Sequence, residues 1–255
     1  MAKMAAFGTV FKMGAGDVQI ETGTVVGTVD VGGAGNAAVI VTAANMTGSP
    51  ITLAVPVANS DTASLVGGKI RDFILSDATA SAIRELFEVS GSGANVVLTR
   101  KIPMANDATL NIDINNGTCT GLTDAPTSTN TQAGETLSAV GLISSISGPG
   151  LAMDTEDVTT HDSASGWEEV VSTILRSGEV SLDLVYDPNN ATHDASTGLV
   201  SMLETRTLAG YSITFPDTTV WSFAAFVTGF EPSSPHDGAL TATAKLKITG
   251  APVLA

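Results

Sequence analysis

The chain has 255 residues, 43% of them apolar and 15% charged, enough to bury a sizeable core and too apolar for a disordered segment. Its formal net charge of -15 excludes a protein that grips nucleic acid through phosphate contacts. A single cysteine, Cys119, excludes an intramolecular disulfide and a cysteine-rich zinc site. No apolar run of signal-peptide length opens the sequence, and no stretch of about 18 consecutive apolar residues occurs, so neither signal-directed export nor a membrane-spanning helix is expected. Gly, Thr, Ala and Val dominate over helix formers, which biases the chain toward strands and turns.

Residues 7–13, beginning at Phe7, read as a first short strand, followed by a glycine turn at 14–16. From Gly23 the sequence is poorer in charge and richer in glycine and valine. Three strands are predicted there, at 25–31, 37–44 and 51–58, with turn chemistry at 32–36 and 47–50 between them. Asp61 is the predicted N-cap of a helix whose Val66, Ile70, Phe73 and Ile74 share one face. Gly67 and Gly68 each weaken that helix by about 1 kcal/mol, so packing must hold it. A second short helix, 79–87, contributes Ile83, Leu86 and Phe87. Strands at 94–101 and 110–115 follow, and the Thr- and Asn-rich stretch 120–135 reads as a linker. Five strands and two helices between polar seams predict a self-contained α+β domain.

A strand resumes at 137–146. The next stretch, 147–164, has no sustained period and carries Asp154, Glu156, Asp157 and Asp162, which predicts a long polar loop. Ser165-Gly166-Trp167-Glu168 fits a capping box. Trp167, Val170, Val171, Ile174 and Leu175 then fall on one helical stripe up to Gly178, so a helix is predicted, with Trp167 in the core. Val180, Leu182, Leu184 and Tyr186 alternate with Glu179, Ser181 and Asp183, the pattern of a strand with one dry and one acidic face. Leu199, Met202 and Leu203 predict a second core helix ending near Thr207. Tyr211, Ile213 and Phe215 mark a strand, residues 220–230 another with a bulge near Ala224-Ala225, and the alternation from Leu240 to Thr249 the last.

The runs ISGPGLAMDTEDVTTHDSASGWEEV, GEVSLDLVYDP and FVTGFEPSSPHDGALTATAKLKITGAP resemble the major tail tube proteins of long-tailed bacteriophages. The resemblance covers residues 6–22 and 136–255. It implies a mainly β fold, an antiparallel β-sandwich or partly closed barrel with two flanking helices, and a virion structural protein without enzymatic activity. It further implies hexameric rings, joined edge to edge and stacked into a tube that conducts DNA without binding it specifically. The implied partners are further copies of the chain and the tape measure, tail terminator and tail tip proteins, in the virion tail after assembly in the host cytoplasm, with no membrane partner. Residues 1–22 and 136–255 would then form a discontinuous core, and 23–135 an insertion exposed on its surface. Gly148, Pro149, Asp154, Glu156, Asp157, His161 and Asp162 are the expected assembly loop, ordered between subunits. Glu179 and Asp183, on the wet face of their strand, are the expected lumen residues. Lys245 and Lys247 would offset them if the first and last of these strands are neighbours.

The other chemical readings are weaker. His161-Asp162-Ser163 holds the residue types of a hydrolase triad, but adjacent residues cannot converge on one reacting atom. Gly32-Gly33-Ala34-Gly35 is followed by strand residues and not by the helix that a phosphate loop opens. Asp113, Asn115 and Asp124 have calcium-loop spacing, yet Thr118 stands where the turn needs glycine. His193 and His236 read as solvated loop histidines. Asn45, Asn116 and Asn190 begin glycosylation sequons that no secretion signal supports. No cofactor or metal is expected. A carbohydrate- or cell-binding β module is the alternative from a different class, and it would need an exposed aromatic platform from a chain with two Trp and two Tyr.

Overall fold

The computed structural model describes residues 8–163 and 166–254, and the chain divides into two units, Met1–Ala15 with Leu137–Ala255 and Gly16–Thr136. The first strand, β1 (Val10–Met13), belongs to the first of these. Phe7 lies outside the described residues.

The second unit runs through β2 (Ile20–Thr24), β3 (Val26–Gly27), β4 (Gly35–Thr42), β5 (Ile51–Val57), α1 (Ala63–Ser76), a 3-10 turn (Ala78–Ala80) and α2 (Ser81–Leu86). It continues with β6 (Phe87–Ser90), β7 (Asn95–Arg100), β8 (Asn111–Asn115), β9 (Leu122–Thr123) and β10 (Thr129–Gln132). A four-stranded sheet in the order β10-β2-β7-β6 and a three-stranded sheet in the order β5-β4-β8 supply the core, with β3 and β9 paired apart. Alternation buries Val39 and Val41, Leu53 and Val55, and Ile112 and Ile114, while α1 adds Val66, Ile70 and Ile74. The helix survives Gly67 because a Cβ there would collide with the backbone of Gly93 and Ala94, so the close packing that holds α1 requires the glycine.

Three expectations are corrected in this unit. Thr62, not Asp61, caps α1, accepting the Leu65 N–H at 3.5 Å, while Asp61 accepts the Ala58 N–H at 2.6 Å and pairs with Lys69. The stretch read as a linker contains β9 and β10, and β10 is an edge of the four-stranded sheet; threonine-rich composition fits a strand as well as a seam. The core was expected to extend to residue 22, yet Ile20 pairs with Thr99 and Gln132, so β2 belongs to the second unit.

This unit also buries charge. Gln19 and Asp107 bond reciprocally through Gln19 Nε2 to the Asp107 carbonyl (2.9 Å) and the Asp107 N–H to Gln19 Oε1 (2.7 Å). Burial pushes the Glu21 carboxyl above its ordinary range; the Ser128 hydroxyl, donating at 2.6 Å, opposes this and the nearby Asp107 adds to it. Burial also lowers the Arg100 guanidinium, with Asp107 opposing.

The first unit continues through β11 (Ser138–Ala139), β12 (Ile143–Ser147), β13 (Ala152–Asp157), β14 (Val170–Arg176), β15 (Glu179–Val185), α3 (Leu199–Thr205), β16 (Leu208–Thr214), β17 (Val220–Ser233) and β18 (Thr241–Leu254). A curled antiparallel sheet in the order β11-β1-β16-β17-β18-β15-β12 carries its core, and the chain is mainly β. Val180, Leu182 and Leu184 of β15 and Ala242, Ala244, Leu246 and Ile248 of β18 point inward, as their alternation predicts. Phe11, Tyr211 and Phe223 form an aromatic group with centroids 5.7–6.3 Å apart, and the Tyr211 hydroxyl donates to Met202 Sδ of α3 at 3.2 Å. Register shifts in β17 fall between Ser222 and Ala224 and between Val227 and Gly229, the first beside the predicted bulge. Met13 pairs with Ser138 and Lys12 with Ala139, so the second unit occupies the turn of a β1–β11 hairpin.

Of the two helices expected to flank this sheet, α3 alone forms among the described residues. The predicted helix around 167–175 is instead strand β14, and Ser165, its expected cap, lies outside the described residues. His193 is also corrected: it is fully buried. Its Nδ1 accepts the Asp187 N–H at 3.3 Å and its Nε2 donates to the Gly141 carbonyl at 2.9 Å, which fixes the neutral tautomer protonated on Nε2. The surrounding segment looked solvated because it is built from Asn, Asp and Thr. Those side chains turn inward on the backbone, as when Asp194 accepts the N–H groups of Ser196, Thr197 and Gly198.

His193→Ala leaves the Gly141 carbonyl and the Asp187 N–H unpaired and opens a void beside Tyr186, so denaturant unfolding should show a loss of about 2–4 kcal/mol. Glu21 has a raised folded-state value, so its burial costs nothing below the ordinary carboxyl range, and the cost develops as pH rises through the folded value. Glu21→Gln should therefore raise the melting temperature at neutral pH, with the difference from the parent protein shrinking on acidification.

Candidate functional site

β12 and β15 pair up to Ser147 opposite Ser181, and β13 and β14 begin with Ala152 opposite Arg176. Both chains advance by the same number of residues between these pairs, so the two ladders are one hairpin in one register. The joint between them is Gly148-Pro149-Gly150 facing Ser177-Gly178. Gly148 and Gly178 have φ of 101° and 72°. A Cβ on Gly148 would meet the Glu179 carbonyl oxygen, and one on Gly178 would meet that of Gly150, so the two backbones pass with room for hydrogen alone. At the joint the ladder gives way to β18: the Gly178 carbonyl accepts the Ile248 N–H at 3.3 Å and Ser177 Oγ donates to the Ile248 carbonyl at 3.5 Å.

Beyond the joint stands an arm about 20 Å long in its paired part. Every residue of β14 is exposed, including Val170, Val171, Ile174 and Leu175, and Met153 of β13 is 54% exposed. Trp167, expected in the core, is 76% exposed. The strand forms where a helix was predicted because Val170, Val171, Thr173 and Ile174 are β-branched and face a ready partner in β13. A helical stripe gains stability only by burial against a core, and nothing among the described residues of the first unit covers this one.

The expected assembly residues are spread along this arm instead of clustering in one loop. Gly148 and Pro149 sit in the joint, and Asp154, Glu156 and Asp157 lie along β13. His161 and Asp162 are exposed at the tip. Asp154 Oδ2 accepts Arg176 Nε at 2.7 Å, and that bond holds the Asp154 carboxyl below the usual range. Asp157 is lowered likewise by the Thr159 hydroxyl and N–H. Ser163 Oγ accepts the Thr160 N–H at 2.9 Å and makes no bond to His161, so no triad forms. The tip closes with the Val158 N–H donating to the Glu169 carbonyl at 2.9 Å.

On the open face of the curled sheet, β15 and β18 are neighbours, with Glu179 opposite Lys247 and Asp183 opposite Thr243. Lys247 Nζ lies 3.3 Å from Glu179 Oε1, Lys245 Nζ 2.8 Å from Glu231 Oε1, and Thr243 Oγ1 donates to Asp183 Oδ1 at 2.8 Å. The acidic face is thus locally offset by two lysines. In the second unit, Asp113, Asn115, Asn116, Gly117, Asp124 and Pro126 line a polar hollow of about 340 Å³. Asn116 is used structurally there, bonding the Leu122 carbonyl and N–H at 2.8 and 2.9 Å. Among the described residues no group of three or more His, Cys, Asp or Glu could hold a metal, and no helix is long and apolar enough to cross a membrane.

The family model described as "Lambda phage tail tube protein, TTP" matches residues 123–255, just over half of the chain. The chain belongs to the lambda phage tail tube protein family. The match takes in β10 and all of Leu137–Ala255, and so the joint, the arm and the ion-paired face. Membership of the tail tube family makes this a structural protein of the virion tail. No curated protein matches the chain. Among solved structures it is similar to a chain of the virion of a native gene transfer agent particle (16% identity, 47% of this chain and 88% of that one, TM-score 0.39). A chain of the tail of an empty gene transfer agent particle with C6 symmetry gives 17%, 47%, 86% and 0.39. A chain of the six-fold symmetrised anti-feeding prophage baseplate gives 12%, 47%, 84% and 0.38.

The Lys247–Glu179 pair is more than half exposed on both sides, so solvent screens it. Lys247→Ala should change the unfolding free energy by about 1 kcal/mol or less, and a double-mutant cycle with Glu179→Ala should return a coupling no larger.

Proposed function

We propose that this chain builds the tail tube as hexameric rings stacked along one axis, through which the genome passes without specific binding. The observation that carries this is the arm: a two-stranded ladder bearing apolar side chains that its own subunit leaves in water. Monomeric proteins rarely expose contiguous apolar surface of this kind unless another molecule covers it. The assembly role of Gly148, Pro149, Asp154, Glu156, Asp157, His161 and Asp162 is to position that arm against neighbouring copies and keep it soluble until they arrive.

Ring closure uses the free edges of the curled sheet, β12 at one end and β11 with β1 at the other, since unpaired edges seek partners and a closed ring satisfies every one. Glu179 and Asp183 face the lumen, where carboxylates repel a passing phosphate backbone. The lysines beside them keep that repulsion modest. The second unit projects from the outer surface as an insertion, which the pairing of Met13 with Ser138 supports, because removing the insertion leaves an ordinary hairpin turn to close. Rings assembled in the host cytoplasm join the tape measure, tail terminator and tail tip proteins.

Negative-stain imaging and size-exclusion chromatography of purified protein test this reading. Six-fold rings or hollow rods are the expected outcome, and a monomer that persists at high concentration would refute it. A variant with 16–136 replaced by a two-residue Asn-Gly turn should still form rods, of smaller outer diameter. Hydrogen exchange across 147–164 should slow on assembly.

A further inference from the structure

The two end strands of the curled sheet are consecutive in the chain. β11 ends at Ala139 and β12 begins at Ile143, so four Cα steps join the two ends of the hydrogen-bonded order and hold them within about 14 Å of each other. Every pairing round the sheet is antiparallel, which makes β11 and β12 run the same way. Residues 138–147 are therefore one kinked strand that changes partners. The Val140 N–H donates to the Phe11 carbonyl on the β1 side, and the Leu142 carbonyl accepts the Val185 N–H on the β15 side, each at 2.9 Å. Each half pairs on one side alone among the described residues, so the bend at Gly141 sets the angle between the two edges of the sheet.

A separate turn holds that bend. The Gly141 N–H donates to Thr192 Oγ1 at 3.2 Å, and the Gly141 carbonyl accepts His193 Nε2 at 2.9 Å, so both backbone groups at the change of partner are taken by adjacent residues of one turn. The turn is itself fixed. The Thr192 hydroxyl donates to Asn190 Oδ1 at 2.8 Å, and the Leu199 N–H donates to the Thr192 carbonyl at 3.0 Å, which ties the turn to α3. Leu142, next in the chain, has φ of 58°, a conformation that a branched residue keeps only where its surroundings impose it. A Cβ on Gly141 would lie 2.8 Å from Asn190 Nδ2, so bend and turn are fitted to each other.

We propose that this turn sets the angle between the ring-closing edges and thereby the number of subunits in the ring, with Thr192 and His193 as positioning residues. The inference rests on the ring closure proposed above and adds what decides its count. A repeating contact closes only when its rotation divides a full turn, and about 9° separates six subunits from seven. Twist between paired strands ranges over about 25°, wider than that step, so edge pairing alone does not choose the count. The choice has to be built into the subunit, and Gly141 is where its two edges are joined.

Thr192→Val removes the hydroxyl at nearly equal volume and leaves the Gly141 N–H without its partner, while Gly141→Ala displaces the turn and keeps all of its bonding groups. Thr192→Ser keeps the hydroxyl and serves as the control. Subunits are counted from top-view class averages in electron microscopy and by native mass spectrometry of the rings, with circular dichroism to establish that each variant is folded. The parent and Thr192→Ser should give six-fold rings alone. In Thr192→Val and Gly141→Ala the ratio of other ring sizes and open arcs to six-fold rings should rise by about tenfold, the weight of one lost hydrogen bond. A folded Thr192→Val or Gly141→Ala with the parent's distribution, or a Thr192→Ser that departs as far as Thr192→Val, would overturn the inference and leave the tube reading standing. Parent protein that closes no ring would refute both.

Discussion

A two-stranded ribbon can hold its ladder of hydrogen bonds without burying a single side chain, and this chain depends on that asymmetry. From Ser145 opposite Asp183 to Met153 opposite Leu175 the hairpin keeps one register, yet its two halves face different media. The inner half buries Leu182 and Leu184 in the sheet core, and the outer half leaves Val171, Ile174 and Leu175 in water. Hydrogen bonding holds the outer half in shape while the hydrophobic effect leaves it unfinished, so the free energy still to be gained lies in association. Gly148 and Gly178 make the change of medium possible, because at both positions the opposite strand's carbonyl comes too close for any side chain.

The same economy of connection explains how a second folded unit can interrupt the first along the chain. Strands β1 and β11 are adjacent and antiparallel, so a chain leaving at Ala15 and returning at Leu137 disturbs no pairing of the curled sheet. The second unit has its own core and satisfies its polar interior locally, through the reciprocal Gln19–Asp107 bonds and Ser128 on Glu21. Buried polar groups with every bond made are compatible with a stable core, and no buried side-chain N or O lacks a partner among the described residues.

The open face of the curled sheet carries its charges as cross-strand pairs. Glu179 with Lys247 and Glu231 with Lys245 hold each other in place at small net energetic gain, because both partners are solvated.

Much of this was written in the alternation of the sequence. The strands through Leu182, Ile213 and Leu246, the helix near Leu199, the two helices of the second unit and the family resemblance all follow from local pattern, because period and burial agree there. The arm did not follow. Trp167, Val170, Val171, Ile174 and Leu175 fall on a helical stripe while the β-branched residues among them suit a strand, and the stripe implies a core to pack against. Only the tertiary structure supplied β13 as a partner and withheld the core, turning an apparent buried helix into an exposed ribbon. His193 was hidden for the converse reason: its neighbours are polar, and their inward bonding to the backbone is a three-dimensional fact. The sequence by itself determined which residues are apolar and in what rhythm; the fold decided which of those rhythms found something to bury against, since burial belongs to pairs of surfaces and not to single segments.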